Sequence, residues 1–206
     1  MRESNYDRMR DQMEREFLKY DQERMIARYG LAYDSSYLYL NFVGRTYRVG
    51  RDNGRVEWSP DGLLTAVHAG YNETMTIFDV LCYAKDGCGL SGRFVPVNQL
   101  KGTVQASTAG EPLFRRAAKV FEHRIGLLSA ACELLGGKCE PVGDVSYRLP
   151  IFDFLPVVLQ FWDSDEEFEP VLKLMWDENI LSYMHYETTW FAASHLWERL
   201  AELMEQ

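Results

Sequence analysis

Five carboxylates fall within seven residues, Asp163, Asp165, Glu166, Glu167 and Glu169, with Trp162 and Phe168 beside them and Trp176-Asp177 downstream. Paired carboxylates can divide acid and base roles when burial drives their proton affinities apart, and the two aromatic neighbours are of the kind that supply burial. A set of carboxylate oxygens is also what a hard divalent cation takes. Asp163, Asp165, Glu166 and Asp177 are therefore the candidate catalytic groups, and Trp162, Phe168 and Trp176 the candidate ligand or partner surface. The calcium-loop template is not met, because Phe168 stands where it needs glycine and Leu174 where it needs glutamate,. No metal ligand set is assigned. Against both chemistries stands the ordinary role of a charge run, a solvated turn or a helix cap.

Other motifs are fragmentary. His185 and Glu187 form an H-x-E pair with His195 ten residues beyond, but the P-C-x-x-C segment that completes a zinc deaminase is missing,. His68 and His123 stand alone, as structural hydrogen-bonding histidines do. Gly87-Cys88-Gly89-Leu90-Ser91-Gly92 matches G-x-G-x-x-G in letters. A dinucleotide fingerprint follows a strand and opens a helix, whereas these glycines end a helix and lead into a strand, so they read as a C-cap and loop and no cofactor is assigned. Cys82, Cys88, Cys132 and Cys139 have spacings that match no usual zinc pattern, and they read as reduced, structural thiols.

The elements that must position the carboxylates are two short apolar runs, Val157 to Trp162 and Val171 to Met175. They read as buried strands, with the charged interval at a strand exit and displayed at the margin of one shared sheet. Upstream, residues 2–29 read as one amphipathic helix with Tyr6, Met9, Met13, Phe17, Tyr20 and Ala27 on its stripe, ended by Gly30. Tyr37 to Val43, Thr46 to Arg51 and Arg55 to Trp58 alternate as a three-stranded meander, with Asn53-Gly54 predicting a two-residue type I′ turn. Helices follow over Asn72 to Lys85 and, with an apolar stripe from Leu113 to Leu135, over Pro112 to Leu135. Strands return at Phe94 to Val97 and Val145 to Ile151. Asp177 is expected to cap a short helix before a last one over Thr188 to Met204. The whole predicts an α+β fold with helices covering a mainly antiparallel sheet in a single domain, arranged as an N-terminal helix over 1–30 and an α+β domain over 31–206.

A chain of 206 residues suits one domain, which at this size buries roughly 70% of its unfolded surface,. The net charge of −9 disfavours nucleic acid, whose phosphates are bound by a basic stripe,. No apolar run approaches the ~18 residues of a membrane span, and the N-terminus carries no apolar signal region. A cytoplasmic location is expected.

Leu155-Pro156, Phe161-Trp162-Asp163-x-Asp165-Glu166-Glu167-Phe168 and Leu174-x-Trp176-Asp177, with Gly143-Asp144-Val145, Tyr83, Gly92 and Phe94 upstream, resemble the family called domain of unknown function 3786. The resemblance runs from about Tyr37 to His195. It implies no established activity. It implies kinship with proteins of anaerobic bacteria and archaea, some of which carry a cysteine-rich iron–sulfur segment like that of corrinoid iron–sulfur proteins, a segment not found in this sequence. The expected function is an uncharacterised accessory or binding domain linked to corrinoid or one-carbon metabolism, with a protein partner or self-association. The alternatives are a carboxylate-dependent, metal-assisted enzyme and a structural homodimer joined through the first helix. The ligand and any cofactor stay open.

Overall fold

The computed structural model describes residues 4–62, 64–101 and 112–206. Among them the chain runs α1 (Asn5–Phe17), α2 (Gln22–Tyr29), β1 (Ala32–Tyr33), β2 (Tyr37–Phe42), β3 (Arg45–Gly50), β4 (Val56–Trp58), β5 (Val67–His68), α3 (Tyr71–Tyr83), β6 (Phe94–Pro96), α4 (Pro112–Phe121), α5 (Ile125–Leu134), β7 (Lys138–Cys139), β8 (Val145–Phe152), β9 (Leu155–Trp162), β10 (Val171–Asp177) and α6 (Tyr186–Met204). The strands form one antiparallel sheet in the order β5-β4-β3-β2-β8-β9-β10-β6, with β1 added to β2 and β7 to β8. The α+β expectation holds.

The two apolar runs are neighbours. β9 and β10 pair from Val171 opposite Trp162 to Trp176 opposite Val157, which returns the chain across the acidic interval as a hairpin. Their inward side chains, Leu159, Leu172 and Leu174, meet Phe114 of α4 and Ala193, Leu196 and Leu200 of α6, so helices close this face of the sheet. Removal of these residues from water is the main force holding the layers together.

Two predicted long helices are each broken. The first divides into α1 and α2, with residues 2 and 3 outside the described residues. Lys19 and Tyr20 donate back to Glu16 and Phe17, and the Asp21 carboxylate accepts the Arg24 N–H at 3.1 Å to start a new helix,. Phe17 is wholly buried against Phe78 of α3, with ring centroids 5.4 Å apart. The second divides into α4 and α5 at His123, whose φ is +58°. In both cases one apolar stripe continues across the break, because two helices that cover the same core share a face.

The meander forms, but its turns differ from expectation. β3 and β4 are joined by a five-residue loop, Arg51–Arg55, with Gly50 N donating to Arg55 O at 2.9 Å and only Gly54 of the Asn53-Gly54 pair at positive φ. A Cβ on Gly54 would lie 2.1 Å from the Glu14 carbonyl oxygen, so the close approach of α1 sets this loop. The two-residue turn lies instead at Val43-Gly44, with φ of +46° and +70°. A β-branched residue in this region is strained. Val43 is held there by its buried side chain and by its N–H, which donates to Ile151 O at 2.8 Å.

That bond marks a seam. β2 and β8 share a single residue pair, Phe42 opposite Phe152, whose rings stack at 4.6 Å. Away from it the strands diverge, and the sheet is two halves joined at one point.

Candidate functional site

The acidic interval is a structured turn. The Asp163 carboxylate accepts the N–H groups of His123 and Ser164, each at 2.9 Å to Oδ1, while its own N–H donates to Asp144 Oδ2 at 2.7 Å. Partial burial opposes ionisation of Asp163, but the two backbone donors outweigh it and hold the carboxyl below the usual range,. This carboxylate is what captures His123 at the break between α4 and α5. Asp165 Oδ1 accepts from Glu167 N and Phe168 N, both at 2.8 Å, and Glu169 pairs with Lys119. Glu166, Glu167 and Phe168 are exposed, and Trp162 lies half-buried under the Lys173 ammonium. Replacing Asp163 with alanine is expected to lower stability by about 1–2 kcal/mol in urea unfolding, the size of a lost helix cap. An unchanged midpoint would show that the break does not rest on this carboxylate.

The other two named residues lie elsewhere. Trp176 is 1% exposed and belongs to the core, so it takes no part in a surface. Asp177, also 1% exposed, ends β10, six residues beyond Val171 and so roughly 20 Å from the turn,. It does not cap a helix. It accepts Ser91 N, Ser91 Oγ, Gly92 N and Asn179 N at 2.8–3.1 Å, so the glycine-rich loop gives its N–H groups to an internal carboxylate. The structure brings Asp163, Asp165 and Glu166 into one turn and leaves Asp177 apart. His185 and Glu187 are exposed at the start of α6, while His195 is buried about 15 Å along the same helix,.

A concavity opens instead at the seam. Where β2 leaves β8, a cleft of about 350 Å³ lies between the end of α2, the middle of β2 and the β8–β9 turn, lined chiefly by Tyr29, Tyr39, Leu40, Asn41, Asp153 and Phe154. Its polar groups are ordered in a relay. Thr46, opposite Asn41 on β3, donates its hydroxyl to Asn41 Oδ1 at 2.9 Å, which turns the amide so that Nδ2 donates to Asp153 Oδ2 at 3.0 Å. Asp153 is exposed, and among the described residues its Oδ1 meets no donor. One oxygen is thus fixed and the other free to accept from a ligand.

The wall is a run of stacked rings. Tyr29 lies on Phe154 at 4.1 Å, Phe154 on Phe152 at 5.3 Å, and Phe152 on Phe42, which carries the wall into the core. Both tyrosine hydroxyls of the cleft are engaged. Tyr29 donates to Val80 O at 3.0 Å, and burial pushes its pKa above the ordinary range. Tyr39 donates to Asp34 Oδ2 at 2.7 Å; that bond raises the phenol and, with the N–H groups of Ser36 and Tyr37, lowers the Asp34 carboxyl,. Two carboxylates near the mouth disfavour anions. The cleft suits an apolar body of small-molecule size carrying an N–H or O–H donor for Asp153.

Sequence reasoning missed this site. The available signal was an exposed polar residue, Asn41, breaking the run Tyr37-Leu38-Tyr39-Leu40, and an aspartate framed by Phe152 and Phe154. Nothing local links them. A family model described as Domain of unknown function (DUF3786) matches residues 21–199, a span wider than the Tyr37 to His195 of the motif resemblance and one that contains every residue of the cleft. No curated protein and no solved structure matches the chain.

Proposed function

The chain belongs to the DUF3786 family, and from that premise and the seam cleft we propose that it is a binding domain for a small neutral or cationic molecule. The observation that carries the reading is the relay Thr46, Asn41, Asp153, which presents one free carboxylate oxygen at the mouth of an aromatic cleft of about 350 Å³. Such a combination of apolar walls and a few placed polar groups is how small-molecule sites obtain both affinity and orientation.

The reading favours binding over catalysis by Asp163, Asp165 or Glu166. Asp163 is engaged as acceptor of the His123 and Ser164 N–H groups and Asp165 of those of Glu167 and Phe168, and Glu166 faces water. A link to corrinoid or one-carbon metabolism would run through a protein partner. Tyr6 and Met9 on α1 are exposed apolar side chains of the kind a partner or second copy covers,. No helix among the described residues is long and apolar enough to cross a membrane. Free cysteines, with Cys132 fully buried, support a reducing, cytoplasmic setting,.

The test is a thermal-shift and titration panel of small amines, polyols and cobalamins. A cleft ligand at 100 times its dissociation constant stabilises by about 2.7 kcal/mol. Asp153→Asn is expected to weaken that ligand about tenfold or more, the loss of one charge-assisted bond. Equal binding by both proteins would remove the ligand from the cleft, and a panel without a hit among amines and polyols would sink the reading.

A further inference from the structure

The polar groups of the seam cleft have their hydrogens committed inside the protein. Tyr29 gives its hydroxyl hydrogen to Val80 O, Tyr39 to Asp34 Oδ2 and Thr46 to Asn41 Oδ1, and all three residues line the cleft. Asn41 uses one of its two amide hydrogens on Asp153,. What remains for a ligand is lone pairs, on the hydroxyl oxygens and above all on Asp153 Oδ1, against a single side-chain N–H, the second of Asn41. Asp153 is also the one charged side chain of the lining among the described residues.

The backbone adds to the same sign. α2 ends at the cleft, where Tyr29, Gly30 and Leu31 form part of the wall. Gly30 and Leu31 both donate their N–H groups to the Ile26 carbonyl. The Leu31 N–H that would serve Ala27 in a continuing helix is thereby taken, and the last carbonyls of α2 bring the negative end of its dipole to this edge of the cleft. Arg28, which stands over the Tyr29 ring at 6.0 Å, donates elsewhere, to Ala84 O and Asp86.

The rings decide which kind of cation fits. An aromatic ring attracts a bare cation through its face, while its edge is positive. Phe154 lies between Tyr29 and Phe152 in the stack, at 4.1 and 5.3 Å, and has no face left over. Tyr29 carries Phe154 on one face and has the Arg28 guanidinium over the ring. Tyr39 alone of the three cleft rings stands outside the stack, and one face does not make the aromatic cage that holds a quaternary ammonium. A cation in this cleft has to be satisfied through its N–H groups.

We propose, on the premise that the seam cleft is a binding site, that its ligand is a primary or secondary ammonium carried on an apolar body. Its N–H groups donate to Asp153 Oδ1, its charge faces the end of α2, and its body rests against Leu40 and the edges of Tyr29 and Phe154. An alcohol of the same shape brings one hydrogen and no charge. A quaternary ammonium brings charge and no hydrogen.

Benzylamine, benzyl alcohol and benzyltrimethylammonium share one body and differ in the head group, and each is titrated into the full chain at constant ionic strength and about pH 7, where the amine is protonated. The ¹⁵N resonances of the Asn41 side-chain amide and the Phe154 backbone are followed. Benzylamine is expected to move them saturably and to bind about tenfold or more tighter than either of the others, the size of one charge-assisted bond. General attraction to a chain of net charge −9 would treat the two cations alike. Asp153→Asn is expected to weaken benzylamine about tenfold and to leave benzyl alcohol unchanged. The ammonium is overturned, with the cleft still a binding site, if the alcohol or the quaternary ion binds as tightly as benzylamine, or if the variant binds benzylamine as the wild type does. If none of the three moves these signals, the binding site falls and the ammonium with it. The wild-type comparison stands whether or not the variant folds.

Discussion

Asp177→Ala is expected to lower unfolding stability by about 3 kcal/mol, because a hydrogen bond to a charged group contributes about 1.5–3 kcal/mol and this change removes four of them, while the exposed donors of Ser91, Gly92 and Asn179 can turn to water,. The carboxylate is 1% exposed and accepts the N–H groups of Ser91, Gly92 and Asn179 together with the Ser91 hydroxyl. It thereby ties the end of β10 to the loop that feeds β6, and β6 pairs with β10 at this same end, Phe94 opposite Asp177. Urea unfolding is the measurement. Asparagine should recover only part of the loss, since it turns one acceptor oxygen into a donor facing other donors. An alanine variant within 1 kcal/mol of the wild type would contradict the account, and the candidate carboxylate would then be free for other work.

The second large effect is a pH dependence set by His195. Its ring is 4% exposed, stacked on Phe42 at 4.8 Å, with Nε2 3.2 Å from the Tyr47 hydroxyl. That hydroxyl donates to Glu73 and so accepts from Nε2–H of a neutral imidazole,. Burial, reinforced by the guanidiniums of Arg45 and Arg199, pushes the histidine down to about 3,. Above the unfolded value of about 6.5 neither state binds a proton, and His195 leaves stability independent of pH. As pH falls through about 6.5 the unfolded chain takes up a proton that the folded chain refuses until pH nears 3, so stability declines over that window,. Between pH 6.5 and 5 the decline from this residue is about 1.5–2 kcal/mol. His195→Gln keeps an N–H for Tyr47 and removes the titration. Its unfolding free energy should therefore fall less than the wild type's over the same interval, by about that amount. Parallel slopes for the two proteins would mean that the buried imidazole does not titrate as described.

Where local pattern decides structure, the sequence was legible. The apolar runs at 157–162 and 171–175 are strands because they are short, apolar and bounded by polar residues, and they pair because the charged segment between them is just long enough to turn. What could not be read depends on partners distant along the chain. Asn41 meets Asp153 across 112 positions and Asp79 meets His185 across 106, so neither contact has a local signature. Helix breaks at Leu18–Asp21 and at His123 were hidden because an apolar stripe runs through them, and only the capture of a backbone N–H by Asp21 or Asp163 marks the interruption. At Asn53-Gly54 the turn preference was real, yet the backbone of α1 came too close for the tight form. His68 and His123, expected as structural hydrogen-bonding histidines, meet Glu14 and Asp163, partners 54 and 40 positions away.

The sheet ends on one side in β5, two residues long, and on the other in β6, three residues long and closing with Pro96. An incoming strand finds almost no ladder to extend, and the proline brings no N–H to it. Among the described residues, accretion of further chains by strand addition, the route to fibrils, therefore has little backbone to extend at β5 or β6.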